Sequence, residues 1–222
     1  MKAPTKPLSF GFVALMWLFF TNVPGFADTI YVANANNNTI VKLDSSGNES
    51  VFASSGLNKP TGLAFDSSGN LYVANYYGGT IEKFDSNGNG TIFASGLSFP
   101  FGLAFGPDGD LYASITGSRI IEKFDSSGNG LVFANSGLVV PDGIAFDSSG
   151  NLYVANQLNN TIEEFGPNGV GSVFPSSGLD HPVAIAVQIP EPSPVLLAGI
   201  GLLTLWAGVR RSRQHARSTR RF

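Results

Sequence analysis

Cysteine is absent from all 222 residues, so no disulfide, thiol nucleophile or thiolate metal site can form. Histidine occurs only as His181 and His215. A Ser/His/Asp arrangement in the centre of the chain would have to use His181, which directly precedes Pro182 in a linker. Charged residues make up only 13% of the chain, and basic ones are scarcest where a domain would lie. Residues 28–189 hold 5 basic and 15 acidic side chains, a net charge of −10. This excludes a nucleic-acid partner, which needs a basic face against phosphate. No stretch of residues 28–187 keeps a helical hydrophobic period. The long apolar runs, residues 8–20 and 195–209, flank this region instead.

What is present is repetition. The decapeptide DSSGNLYVAN occupies residues 66–75 and recurs letter for letter at 147–156, with weaker copies GPDGDLYASI at 106–115 and DTIYVAN at 28–34. Tyr31, Tyr72, Tyr112 and Tyr153 are therefore 41, 40 and 41 residues apart. Pro60, Pro100, Pro141 and Pro182 keep the same period, each heading an apolar run: TGLAF, FGLAF, DGIAF and VAIAV. Between these anchors lie TIVKL, TIEKF, IIEKF and TIEEF, followed by SVFAS, TIFAS, LVFAN and SVFPS. Each unit thus holds four short segments rich in β-branched and aromatic residues, bounded by Asp/Ser/Gly/Asn turns.

The runs of the GLAF type carry no polar face, as expected of a strand covered on both sides, whereas Lys and Glu in the third strands suit a position nearer solvent. Four-stranded units of this length predict propeller blades. The first repeat lacks its PxGLAF strand, and the last ends in an unpartnered strand at 182–187. Pairing of these N- and C-terminal strands is expected to complete a blade and close the ring.

Residues 60–84, PTGLAFDSSGNLYVANYYGGTIEKF, resemble an NHL-type repeat, and the resemblance extends over residues 28–187. It implies an all-β fold, a β-propeller of four NHL-like four-stranded blades across residues 28–188. Relatives usually close with six blades or so, and related propellers include lactonases, antibiotic lyases and pure binding modules. The antibiotic lyases use a catalytic histidine that has no good counterpart here.

Residues 1–27 read as a signal peptide: Lys2 and Lys6, an apolar run, then small residues before a cleavage site between Ala27 and Asp28. Residues 189–222 resemble a PEP-CTERM sorting signal of Gram-negative, exopolysaccharide-producing bacteria. Pro190, Glu191 and Pro192 would be the motif, residues 195–209 the membrane helix, and the Arg-rich tail, with Arg210 and Arg211, would stay cytoplasmic. The resemblance implies an exosortase-type processing enzyme as partner, a transient membrane anchor, and a mature domain outside the cell.

For a site, DSNGNG at 85–90 matches the opening of a calcium loop, but the closing Glu is missing, and the sister turn DSSGNG at 125–130 favours a Gly-rich hairpin turn instead. Asn34, Asn75 and Asn156 end equivalent second strands, and Asp142 is the only carboxylate among the residues that follow the repeat prolines. Gluconolactonase-like propellers hold a divalent metal near the axis with such residues. These ligands would bind calcium weakly, and the asparagines otherwise cap turns.

The loops after the second strands differ from blade to blade, and variable loops on a repeated scaffold are where ligands bind. Among them Tyr76 and Tyr77 offer flat apolar surface beside amides, suited to sugar rings, or else they pack onto neighbouring blades. The expectation is an exported, non-catalytic binding or structural module of the cell envelope or extracellular matrix. Its partner is a polysaccharide or an envelope protein, and it has no cofactor. The alternative is a metal-dependent, lactonase-like hydrolase centred on Asp142.

Overall fold

The recurring aspartate closes each hairpin through its own carboxylate. Asp66 Oδ1 accepts the backbone N–H groups of Ser68 and Asn70 at 2.9 and 2.8 Å, and Oδ2 accepts the Asn70 side-chain amide at 2.7 Å. Gly69 supplies the left-handed turn position at φ 82°. The same three bonds recur at Asp44, Asp85, Asp125 and Asp147. The hairpin reading of residues 85–90 is therefore the observed one, with the Asp85 carboxylate turned into its own loop.

The computed structural model describes residues 29–188, and every regular element in them is a β-strand. The first sheet comprises β1 (Ile30–Asn34), β2 (Thr39–Leu43) and β3 (Glu49–Ala53). The second comprises β4 (Pro60–Phe65), β5 (Leu71–Asn75), β6 (Thr80–Phe84) and β7 (Gly90–Ser95). The third comprises β8 (Pro100–Phe105), β9 (Leu111–Ile115), β10 (Ile120–Phe124) and β11 (Gly130–Ala134). The fourth comprises β12 (Pro141–Phe146), β13 (Leu152–Asn156), β14 (Thr161–Phe165) and β15 (Gly171–Phe174). All neighbours are antiparallel and follow chain order within each sheet. The signal peptide, the Ala27/Asp28 cleavage site, the Pro-Glu-Pro motif, the apolar segment 195–209 and Arg210 and Arg211 lie outside the described residues.

The tyrosine period has a packing cause. Tyr72 meets Phe93 of its own sheet and Phe105 of the next edge-on, with centroids 4.9 and 5.1 Å apart. Tyr31 meets Phe52 and Phe65 in the same way, and Tyr112 meets Phe133 and Phe146. Each such pair contributes about 0.5–1.5 kcal/mol beyond burial, so one tyrosine per repeat rivets two blades. Tyr153 keeps only Phe174, because the tail segment carries Val187 where the other repeats carry phenylalanine.

The inner strands stack too closely for side chains at one position. A Cβ on Gly62 would collide with the Phe101 carbonyl oxygen, one on Gly102 with that of Asp142, and one on Gly143 with the backbone of Ala184. The third strands depart from the expectation of solvent-facing charge. Glu82 and Glu163 are buried at 6% and 5% exposure, while the fourth strands form the solvent edge and expose Ile92, Leu131 and Val173. Alternation puts Lys83 and Lys123 on the other sheet face, where they lie part-buried over the Tyr72 and Tyr112 rings at 5.2 and 5.6 Å.

Closure by pairing of the terminal strands is not formed. The first sheet has three strands, and residues 182–187 pair with no second strand among the described residues. Instead the segment stacks on β12, where Gly143 N–H donates to the Val183 carbonyl at 3.0 Å. It thus occupies the place of the next inner strand without pairing with β1 among the described residues.

Candidate functional site

The crossovers into the inner strands and the variable loops after the second strands share one face. Lys59, Phe99, Val140 and His181, which precede the repeat prolines, all adopt left-handed φ between 48° and 56°. The carbonyls of the first three accept backbone N–H groups of Tyr76, Thr116 and Gln157 at 3.0–3.1 Å, fixing loop to crossover. Backbone strain at four equivalent non-glycine positions is thus held by the face itself.

Asn75 and Asn156 belong to this framework. Asn75 is 1% exposed, accepts the Asn58 N–H at 3.1 Å and donates to the Gly56 carbonyl at 2.8 Å and to Thr80 Oγ1 at 3.1 Å. Asn156 repeats the pattern with Val139, Gly137 and Thr161. Their amides are occupied in tying down crossovers. Asn34, at the end of the open first sheet, is exposed. The three asparagines are not brought together as one ligand set.

The third repeat has Ile115 where these asparagines stand, and a different network replaces the lock. Ser114 Oγ accepts the Gly102 N–H at 2.8 Å and donates to the Asp142 carbonyl at 2.6 Å. Thr116 Oγ1 donates to the Pro141 carbonyl at 2.7 Å and lies 3.4 Å from Asp142 Oδ1. Asp142 is 3% exposed, and burial pushes its carboxyl up to about 6, against a smaller lowering by Thr116. The carboxyl is turned toward Thr116 and does not line the axial cavity of about 370 Å³, whose walls include Ala33, Leu63, Phe101, Ile144 and Ile185. No group of three or more His, Asp or Glu side chains converges among the described residues.

Tyr76 and Tyr77 come together with each other, and Asp142 acts on Tyr76 only through its charge. Burial raises the Tyr76 hydroxyl, and the charge of Asp142 and then Tyr77 raise it further. The Tyr76 ring lies 5.1 Å from Phe99 and 6.0 Å from Phe101, both of the next blade, and 5.2 Å from Tyr77. Tyr77 stands over the cluster at 62% exposure with Lys59 Nζ 5.5 Å from its ring centroid, and Phe99 is 44% exposed. The result is an apolar ledge with a cation at its rim. Phe99 escaped the sequence reading because it looks like a linker residue; its place immediately before a repeat proline was the signal available.

Residues 57–84 match the NHL repeat family. No curated protein sequence matches the chain. Among solved structures, virginiamycin B lyase from Staphylococcus aureus superposes with a TM-score of 0.62 at 17% identity, covering 70% of this chain and 55% of the lyase. A streptogramin B lyase gives 0.59 at 19% identity, with 66% and 50% covered. A chain of a nidogen/laminin complex gives 0.63 at 21% identity, with 70% and 64% covered. The chain therefore spans half to two thirds of the length of these structures. Residues 57–84 thus carry one NHL repeat within a propeller-like array of sheets, and likeness of this fold extends both to enzymes and to a protein complex.

Proposed function

We propose that this domain is a non-catalytic binding module, exported to the cell envelope or extracellular matrix of a Gram-negative bacterium, whose loop face takes a polysaccharide. The observation that carries the reading is the ledge of Tyr77 and Phe99, presented by strained crossovers and rimmed by Lys59. Flat rings beside hydrogen-bonding groups suit the apolar faces and hydroxyls of sugars, and a cation suits acidic polymers. Export rests on the signal-peptide character of residues 1–27 and the sorting-signal resemblance of residues 189–222, with an exosortase-type enzyme as processing partner. Removing Ala27 by Ala27→Pro, or altering Glu191 in the Pro-Glu-Pro motif, should leave unprocessed precursor on a denaturing gel; normal processing of both variants would refute this route.

The binding reading is tested by retention of the protein on immobilised extracellular polysaccharides, with a Tyr77→Ala/Phe99→Ala variant as control. The rival reading is a metal-dependent, lactonase-like hydrolase centred on Asp142, whose burial at 3% exposure and absence from the cavity lining weigh against it. Turnover of a lactone that vanishes in Asp142→Asn would establish it in place of the first.

A further inference from the structure

The two ends of the array are halves of one missing blade. Among the described residues, β5, β9 and β13 lie between two neighbouring strands, whereas β1, their equivalent, has only β2 beside it. Ile30 and Val32 are consequently 60% and 41% exposed, where their equivalents Leu71 and Val73 are 1% and 0%. At the other end, residues 182–187 are already set as an inner strand. His181 N–H donates to Asn160 Oδ1 at 2.8 Å, as Lys59 N–H does to Asn38 Oδ1 at 2.7 Å, and His181 has the same left-handed φ as Lys59. Yet no second strand among the described residues covers this segment, and Val183 is 46% exposed.

The register transfers without adjustment. In β4 and β5, Pro60 faces Asn75, Leu63 faces Val73, Ala64 faces Tyr72 and Phe65 faces Leu71. The same register places Pro182 opposite Asn34, Ile185 opposite Val32, Ala186 opposite Tyr31 and Val187 opposite Ile30, which covers the exposed apolar positions of β1. Among the described residues of one chain these two ends line a common cavity but do not pair as strands. They are complementary rather than alike, so contact between copies is head-to-tail, and such contacts either close a ring or run on as a filament. An array that superposes on about half of longer propellers needs one further copy to complete the circle.

We propose that two copies of this chain close one eight-bladed ring, residues 182–187 of each copy pairing with β1 of the other. Both open edges are then removed at once, which a sheet edge favours. The segment is held in strand position before pairing, so little ordering cost opposes association. This inference is independent of the ligand of the loop face.

The cysteine-free chain makes the test clean. Full-length protein in mild detergent carrying Val32→Cys is mixed with full-length protein carrying Ile185→Cys and oxidised. About half of the chains should appear as disulfide-linked pairs of one of each after random pairing, and more as copies exchange, since facing strand residues are within disulfide reach. Either variant alone should stay unlinked. The shifted pair Val32→Cys with Ala186→Cys, on opposite sheet faces, should link several-fold less. An unlinked mixture overturns the proposal, as does a doubly substituted chain that forms its disulfide internally. Sedimentation of the unsubstituted full chain, which no substitution can perturb, should give two chains per particle; one chain per particle, or an open-ended series, contradicts it.

Discussion

The Tyr76 and Phe99 rings lie 5.1 Å apart across the boundary between the second and third blades, tilted by 31°. Neighbouring Tyr77 is mostly in water. The two tyrosines therefore divide the work, one locking blades together and the other left available for contact.

Tyr76→Ala should lower unfolding free energy by about 2–3 kcal/mol, because it removes a half-buried ring packed on Phe99 and Phe101. Tyr77→Ala should change it by less than about 0.5 kcal/mol, as exposed substitutions do. Urea titration of both variants checks the contrast, and equal losses would contradict it.

Asn75→Ala and Asn156→Ala should each cost roughly 2–3 kcal/mol, since each strands a buried N–H and a carbonyl of a crossover. Asn34→Ala, at the exposed end of β1, should be nearly neutral in a single chain. Thermal melts of the three variants side by side decide whether the asparagines are structural locks. A metal-dependent melting temperature lost in all three would instead make them ligands.

A carboxyl whose pKa rises on folding holds its proton more tightly in the native state. Asp142 therefore stabilises the fold below its unfolded pKa, and that contribution disappears as pH climbs through about 6. From its usual 3.8 to about 6 the effect is on the order of 3 kcal/mol. Buried Glu82 and Glu163 and part-buried Glu122, all raised by burial, act in the same direction. Asp44, Asp85 and Asp125 act oppositely. Side-chain hydrogen bonds from Asn48, Asn89 and Asn129 hold them low, so their contribution is lost as pH falls through their lowered values. Stability should accordingly decline from about pH 4.5 to 7, and Asp142→Asn should flatten most of that slope. Denaturant midpoints across this range provide the measurement.

Gly102→Ala should be among the most damaging single changes in the domain, costing more than about 3 kcal/mol, because the added methyl meets the backbone of β12. Gly96→Ala, at an open turn with φ 79°, meets no atoms and should cost only the roughly 1 kcal/mol of its left-handed backbone. Refolding yield and melting temperature together distinguish the two.

The blades were legible because their causes are local. Asp66 and its copies close hairpins within five residues, and β-branched and aromatic residues in LYVAN and TIEKF mark strands. Burial of Glu82 was not legible, since a charged residue beside Lys83 reads as a solvated pair until the blade stacked against it is known. Nor was the open end. PVAIAV has the pattern of PTGLAF whether it pairs with its own β1 or another copy's, and the angle between blades, set by contacts such as Gly102 against Asp142, leaves no periodic trace. The loop face was found from sequence variability between repeats, but Phe99 joins it only through the left-handed turn at its own backbone.

The most direct measurement is retention of the full chain on a panel of neutral and acidic extracellular polysaccharides, with lactone turnover followed in the same samples. The account predicts retention on at least one polymer, weakened roughly tenfold or more in Tyr77→Ala/Phe99→Ala, and no turnover. Absence of retention on every polymer, or turnover that Asp142→Asn abolishes, would contradict it.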